Sequence, residues 1–379
     1  MINSRHEYNP SVVVPPGLTI AETIDALGIS QGELAARLGM SLPTVNKIIN
    51  GKAPILPETA LGLERVLGIA ATFWNRYEAA YRDFLLRQEE AEKLDDERSI
   101  WNSKPLRTVI EAMIKAKMIP LRESELGLRE EVLRFFGIAS FKQYQPMLAV
   151  AEGRYRSAAF EADPHAIHAW LRQGEWIAKG IETKPYSASK LRASISKMRD
   201  LTVRKADAIQ SDLVKLCADC GVALVFVPEL SGTHLYGAAR WLTPTKALVQ
   251  LSLRDMTNDQ LWFSFFHEIG HILLHSKKAS FIDSPEDGSG SGEIEREADL
   301  FASETLIKPE QLSRFLVDHP RPIVEDIQRF AARINLHEGV VVGRLQALGV
   351  VDTRFANELK VTFHWSGRAQ GLRSANETN

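Results

Sequence analysis

Leu261-Trp-Phe-Ser-Phe-Phe-His-Glu-Ile-Gly-His-Ile-Leu-Leu-His275 is the stretch that decides how this chain is read. It is strongly apolar and holds no proline, so residues 257–275 are predicted to be one helix. On a helix, His267 and His271 share a face and sit about 6 Å apart along the axis. Two imidazoles so placed suit one tetrahedral metal ion, with Glu268 beside it. A charged trio on a helix this apolar is costly to bury without a metal or close partners. Core histidines satisfied by hydrogen bonds are the alternative. His275 continues the row, but it lies about 12 Å along the axis from His267. Bonds near about 2 Å do not span both ends. His275 is therefore expected to support the site from behind a ligand, or to hydrogen-bond in the core.

A catalytic zinc needs a third protein ligand and an open position. Residues 283–292 (Asp-Ser-Pro-Glu-Asp-Gly-Ser-Gly-Ser-Gly) read as a flexible loop, and 293–307 as the next helix. There Glu295 and Asp299 share a face, while Glu297 points almost oppositely. Glu295 is expected to bind zinc. Asp299 is expected to accept the other ring N–H of a ligand histidine and so fix its tautomer. A solvated acidic face has the same pattern. A zinc-bound water and a polarised carbonyl, with Glu268 moving the proton, make a hydrolytic centre. His234 and Tyr236 are candidate oxyanion donors.

Outward from this site, residues 222–227, 235–241 and 247–253 read as strands. Lys246 to Arg254 is either an edge strand that holds an extended peptide by main-chain bonding, or interior to the sheet. Cys217 and Cys220 form a weak C-x-x-C pattern with no second pair, and structural cysteines fit better. Residues 99–205 have helical periodicity. Their aromatics (Phe135, Phe136, Phe141, Tyr144, Trp170 and Trp176) are expected in a core. The last dozen residues are polar and expected to be disordered.

The N-terminal part is built differently. Residues 1–17 look like an arm, rich in proline. Helices then follow in short pieces, with Gly28, Gly39, Gly51 and Gly68 at their ends. Residues 72–98 read as one longer helix from a Thr cap. Ser30-Gln-Gly-Glu-Leu-Ala-Ala-Arg-Leu38 is an N-capped helix, Gly39 allows a sharp turn, and Ser41 caps the next helix, which runs to Asn50. Ser41, Thr44, Asn46, Lys47 and Asn50 lie at its start or outer side, where short polar chains suit base reading in a major groove. Gln31, Lys47 and Lys52 suit phosphates. A small bundle that binds protein is the alternative.

Composition is that of an ordinary globular chain of 379 residues, 45% hydrophobic and 25% charged. The net charge of −2 confines any DNA contact to a local patch. Two cysteines exclude a disulfide framework and fit a reducing cytoplasm. No apolar run is long enough for a membrane span, and no secretory signal is present, so no membrane partner is expected.

Two stretches carry resemblances. Residues 18–87 resemble the Xre/Cro-type domain of the HigA/VapI antitoxins. The residues that carry this are Ser30 to Gly39, Val45-Asn-Lys-Ile-Ile-Asn-Gly-Lys52, Pro57-Glu-Thr-Ala-Leu-Gly-Leu-Glu64 and Phe73-Trp74. That family implies a duplex DNA operator, a homodimer and autoregulation. Residues 200–355 resemble the ImmA/IrrE family of gluzincin-like zinc peptidases. Phe265 to His275 and Glu295 to Ala302 carry the likeness, with Trp241 to Arg254 and Val340-Val-Val-Gly-Arg-Leu-Gln346. It implies His267, His271 and Glu295 as Zn2+ ligands and Glu268 as general base. Asp299 stands where the family often has Asn, and Lys308 before Pro309 slightly extends its helix ending.

The expected fold is mostly α with a small α+β part. Its parts are a helix-turn-helix bundle (1–90), a helical connector (91–205), a zinc-peptidase domain with a small β-sheet (206–355) and a tail (356–379). Three functions fit. One is a DNA-binding regulator whose peptidase cleaves a protein substrate or a cognate repressor or toxin. Another is an antitoxin-like autoregulating repressor with a sensing or inactive zinc domain. The third is a housekeeping peptidase that uses the helix-turn-helix for docking.

Overall fold

The computed structural model describes residues 14–155, 163–204, 206–233, 235–252, 257–275, 291–365 and 372–374. The arm before residue 14, His234 and residues 283–290 lie outside them. The chain divides into two compact units, residues 1–98 and 99–379.

The first unit contains α1 (Pro16–Ala26), α2 (Gln31–Leu38), α3 (Leu42–Ile49), α4 (Pro57–Leu67) and α5 (Ala71–Asp96). Ser30 and Ser41 start α2 and α3 by accepting the N–H groups of Glu33 and Thr44, at 3.1 and 3.3 Å. Gly39 ends α2 in the left-handed region, at φ 65°, where glycine carries no Cβ penalty. Ile20, Ile24, Leu34, Val45, Ile48, Leu63 and Trp74 form the core. Gly17 is where α1 crosses the end of α3: a Cβ there would lie 2.2 Å from the Ile49 carbonyl oxygen. The long helix begins at Ala71, and its cap is not a threonine. The Glu64 carboxylate accepts the Ala71 N–H at 2.5 Å instead, a partner seven residues back that no local cap pattern reveals.

After the short α6 (Arg98–Trp101), the second unit runs through α7 (Lys104–Lys115), α8 (Glu125–Phe136), α9 (Tyr144–Tyr155), α10 (Pro164–Lys179), α11 (Ala188–Arg199) and α12 (Ala206–Asp219). Strands β1 (Val222–Phe226), β2 (Gly237–Thr243) and β3 (Lys246–Leu251) follow, then α13 (Asn258–Leu274), α14 (Ser291–Leu306), α15 (Pro309–Asp318), α16 (Val324–Ile334) and α17 (Glu338–Ala347). A hairpin of β4 (Phe363–Trp365) and β5 (Leu372–Ser374) comes last.

The sheet order is β1-β3-β2, with β3 parallel to β1 and antiparallel to β2. The stretch Lys246 to Leu251 is therefore interior, and β1 and β2 are the two edge strands among the described residues. On one face of the sheet, Leu224, Phe226, Val249 and Leu251 pack with Trp262, Phe265, Phe266 and Ile269 of α13. On the other, Ala223, Val225 and Leu248 pack with Ile167, Trp170 and Leu171 of α10. This double burial is why β1 reads as an unbroken apolar run.

Three expectations change here. Residues 99–205 are not a separate connector, because α10 supplies the second cover of the sheet. Phe135, Phe136, Phe141, Tyr144 and Trp170 are buried as expected, but Trp176 is exposed. The segment after residue 355 is not all tail. The Asn258 N–H donates to the Val361 carbonyl at 2.9 Å, Phe363 is buried, and Leu372–Ser374 is a strand although it falls in the last dozen residues. Backbone pairing to an existing hairpin partner outweighs the polar composition.

Phe266 is fully buried between the sheet and the helices. Phe266→Ala should destabilise the second unit by about 3–5 kcal/mol, whereas Leu121→Ala, at a 76% exposed position, should change little. Thermal unfolding of the full chain checks both.

Candidate metal centre

The centre is made by the contact of α13 with α14. Gly270 faces Ala298 and Phe301 across it. A Cβ on Gly270 would lie 3.3 Å from the Ala298 Cα and 3.1 Å from a Phe301 ring carbon. Small residues at the crossing let the backbones come close, and the residues one turn either side then meet. His267 and His271 face Glu295 and Asp299.

The His267 and His271 Nε2 atoms are 2.9 Å apart. Glu295 Oε2 is 3.2 Å from His267 Nε2, and Oε1 is 3.6 Å from His271 Nε2. These three donors lie within 4.8 Å of one another. Nitrogen ligands on a tetrahedral zinc would stand about 3.3 Å apart, so a small outward movement admits the ion. The ring atoms turned away from this point are engaged. His267 Nδ1 lies 2.9 Å from Asp299 Oδ1. His271 Nδ1 lies 3.2 Å from His275 Nδ1, and His275 Nε2 lies 3.1 Å from Glu297 Oε2. Holding Nδ1 outward fixes each ring so that Nε2 converges on the centre. The donor set therefore fits a zinc ion.

Glu297 departs from the reading that turned it away from the site. The contact stripe on α14 is centred on Ala298, and Glu297 flanks that stripe on the side opposite Glu295, where it reaches His275. The sequence signal for this partner was weak, since it depends on how far His275 extends past the end of α13.

Charge at the site favours a cation. Burial opposes charge on His267, but the Glu295 hydrogen bond and the charges of Glu268, Glu295 and Asp299 prevail and raise its pKa to about 9. Burial works against the Glu295 carboxylate as well, and hydrogen bonds from the two histidines outweigh it, holding its pKa far below the usual range. Burial raises the pKa of Glu268. Its carboxylate abuts the first residue of β2: a Cβ on Gly237 would lie 2.6 Å from Glu268 Oε1. Gly237 was not singled out in the sequence, where nothing marks it. Tyr236, just before it, is 40% exposed.

In the first unit, Asn46, Lys47, Asn50 and Lys52 are exposed around α3, and Gln31 and Thr44 are half-buried. Ser41 is engaged at the cap, with its Oγ 2.8 Å from Thr44 Oγ1. Asn50 Nδ2 donates to the Asn46 carbonyl at 2.7 Å. The outer side of α3 is thus polar, with two of its short side chains tied to the helix itself.

Comparisons with known proteins agree with this division. Residues 20–74 match the helix-turn-helix family, and residues 230–346 match the IrrE N-terminal-like domain of the M78 peptidases. The uncharacterised HTH-type transcriptional regulator YddM of Escherichia coli (strain K12) is 32% identical over 66 residues, 17% of this chain and 70% of that protein. A HigA-family antidote protein from Coxiella burnetii is 29% identical, covering 22% of this chain and 94% of its own, with a TM-score of 0.21. Pseudomonas aeruginosa antitoxin HigA, solved with the higBA promoter, is 26% identical over 23% of this chain and 95% of its own, at the same TM-score. The chain belongs to the helix-turn-helix family through its first unit, and it carries an IrrE-like domain in its second. Among the described residues, no helix is long and apolar enough to cross a membrane.

A zinc ion held by His267 would have to displace the proton that the ring keeps when its pKa is about 9. Apparent zinc affinity should therefore rise with pH from 6.5 and level off past about 9. The same raised pKa stabilises the metal-free fold fully below pH 6.5 and is lost as pH rises through about 9. Asp299→Asn should weaken zinc and flatten the slope. Competition titrations with a zinc chelator across this range read both effects. An affinity independent of pH would mean that His267 is not a ligand.

Proposed function

We propose that the protein is a DNA-binding transcriptional regulator whose second unit is a zinc-dependent peptidase acting on a regulatory protein partner. The convergence of His267, His271 and Glu295 donors within 4.8 Å, with the Glu268 carboxylate buried beside them, carries the reading of the second unit. These three residues would hold the zinc, and the ion would supply Lewis acidity at the scissile carbonyl. Asp299 and the His275–Glu297 pair orient the two imidazoles. Glu268 takes a proton from the attacking water and passes it to the leaving amine. Its raised pKa suits both transfers better than that of an exposed carboxylate. The edge strand β2 starts beside Glu268. An extended peptide added to that edge by main-chain hydrogen bonds would pass the carboxylate. Gly237 keeps the approach open, and Tyr236 stands at its start.

The first unit would read an operator through Thr44, Asn46, Lys47 and Asn50, with Gln31, Ser41 and Lys52 toward the phosphates. Two copies on an inverted repeat would place their α3 helices about 34 Å apart. Joining the two activities in one chain brings the peptidase to the promoter whose regulator it cleaves.

Glu268→Gln should keep its zinc and lose proteolysis. Expressed in cells, this inactive form should retain its protein partner, which wild type cleaves. If Glu268→Gln loses zinc, Glu268 is a ligand and the assignment of roles fails. If neither form yields a cleaved partner, the zinc domain is a sensor or relic on an antitoxin-like repressor. For the first unit, Thr44→Ala or Asn46→Ala should relax sequence choice in a selection from random duplexes. Lys52→Ala should weaken all duplexes about equally. Failure of wild type to select any sequence at low salt contradicts operator reading.

A further inference from the structure

Beside the metal centre, α13, α14 and α17 enclose a cavity of about 200 Å³. Phe263, Leu306 and Val340 line it with apolar surface, and Asp259, Ser303 and Arg344 add polar groups. The two charged residues are not in the same condition. Asp259 Oδ2 accepts a hydrogen bond from Lys360 Nζ at 2.7 Å, and Lys360 also donates to Gln346 Oε1 at 2.8 Å. The Asp259 charge is thereby balanced, although its buried Oδ1 has no partner. Among the described residues, the Arg344 guanidinium makes no hydrogen bond and no ion pair, and its Nε is buried. Burial disfavours its charge, and Glu304 favours it without coming within ion-pair distance.

A half-buried guanidinium without a partner is an exception that asks for one, because desolvating a charge costs more than leaving it in water. The planar fork of Arg matches a carboxylate better than any other common anion save phosphate. Among the described residues, Arg344 is the one cation lining this cavity. Lys360 is engaged by Asp259 and Gln346, so a dianion would find no second free cation. We propose that this cavity binds a small carboxylic acid with a compact apolar body, its carboxylate on Arg344 and its body against Phe263, Leu306 and Val340.

Size agrees with this. A dry cavity of about 150 Å³ admits benzene, so the larger space here accommodates a ring or a branched alkyl group together with a carboxylate. The chemistry has two possible sources, a free acid or the C-terminal residue of a peptide. Position gives the occupant a route to the metal centre. Phe263 precedes His267 by one turn, with ring centroids 6.2 Å apart. Ser303 follows Asp299 by one turn on α14. An occupant therefore presses on the two helices that carry the zinc donors, although binding itself does not depend on the zinc reading.

Benzoate is the direct probe, with benzyl alcohol as its uncharged counterpart. Saturation-transfer NMR on the full chain, once with zinc and once after chelator treatment, reads binding to each form. Benzoate should bind saturably in both, and benzyl alcohol at least about tenfold more weakly, the worth of one charge-assisted pair. Arg344→Gln should weaken benzoate by a similar factor. Val340→Phe, which keeps Arg344 and fills the space, should abolish binding, and it carries the test should Arg344→Gln not fold. Acetyl-Gly-Leu and its amide separate the sources. A free-carboxylate peptide that binds tighter than benzoate identifies a peptide end, and a weaker one identifies a free acid. No saturable benzoate or peptide binding at millimolar concentration, or equal binding after both substitutions, overturns the proposal. If wild type fails to hold zinc but still binds benzoate, this site stands while the peptidase reading falls.

Discussion

The close crossing of α13 and α14 at Gly270 and Ala298 is the constraint on which the rest of the second unit depends. A Cβ at 270 would sit 3.1 Å from a Phe301 ring carbon and 3.3 Å from the Ala298 Cα, tighter than most Cβ contacts. The sheet exists to hold α13 in this position. Trp262, Phe265, Phe266 and Ile269 bury one side of the helix against it, which leaves the histidine side to face α14. The same helix thus serves as core and as site, divided along its length by its two faces.

Burial and charge oppose each other at that site in a way that only a cation resolves well. Two imidazoles stand among Glu268, Glu295 and Asp299. Without a metal, His267 must carry a proton to compensate, and its pKa rises to about 9 although burial works against it. A divalent ion would replace that proton and bring more charge to the same place. The outward Nδ1 contacts, to Asp299 for His267 and to His275 for His271, hold the rings for this exchange. Both histidines are therefore held without a metal, which would lower the ordering cost of binding one.

Much of this was legible in the sequence because local rules governed it. Helical spacing alone put His267 and His271 on one face and paired Glu295 with Asp299. The Ser30 and Ser41 caps and the turn at Gly39 followed from backbone preference. What was not legible depends on contacts between segments far apart in the chain. Interior and edge strands have the same apolar pattern, so only the observed pairing shows that β3 is central and that β1 and β2 flank it. The covering of β1 by α10, and the docking of residues 356–365 on the start of α13, come from surfaces that meet only in the folded unit. Glu297 belongs to the same group. Its angular position on an isolated helix turned it from the site, yet its partner His275 lies past the end of α13, where that geometry no longer applies. Gly237 has no local signature, and its meaning lies in what stands 2.6 Å from its missing Cβ.

The claim at the centre of this account is that His267, His271 and Glu295 hold one zinc ion, and elemental analysis of purified full-length protein tests it most directly. The account predicts near-stoichiometric zinc in wild type, a large loss in Glu295→Ala, and retention of most of the metal in Glu297→Ala. Zinc kept in full by Glu295→Ala and lost by Glu297→Ala would contradict it.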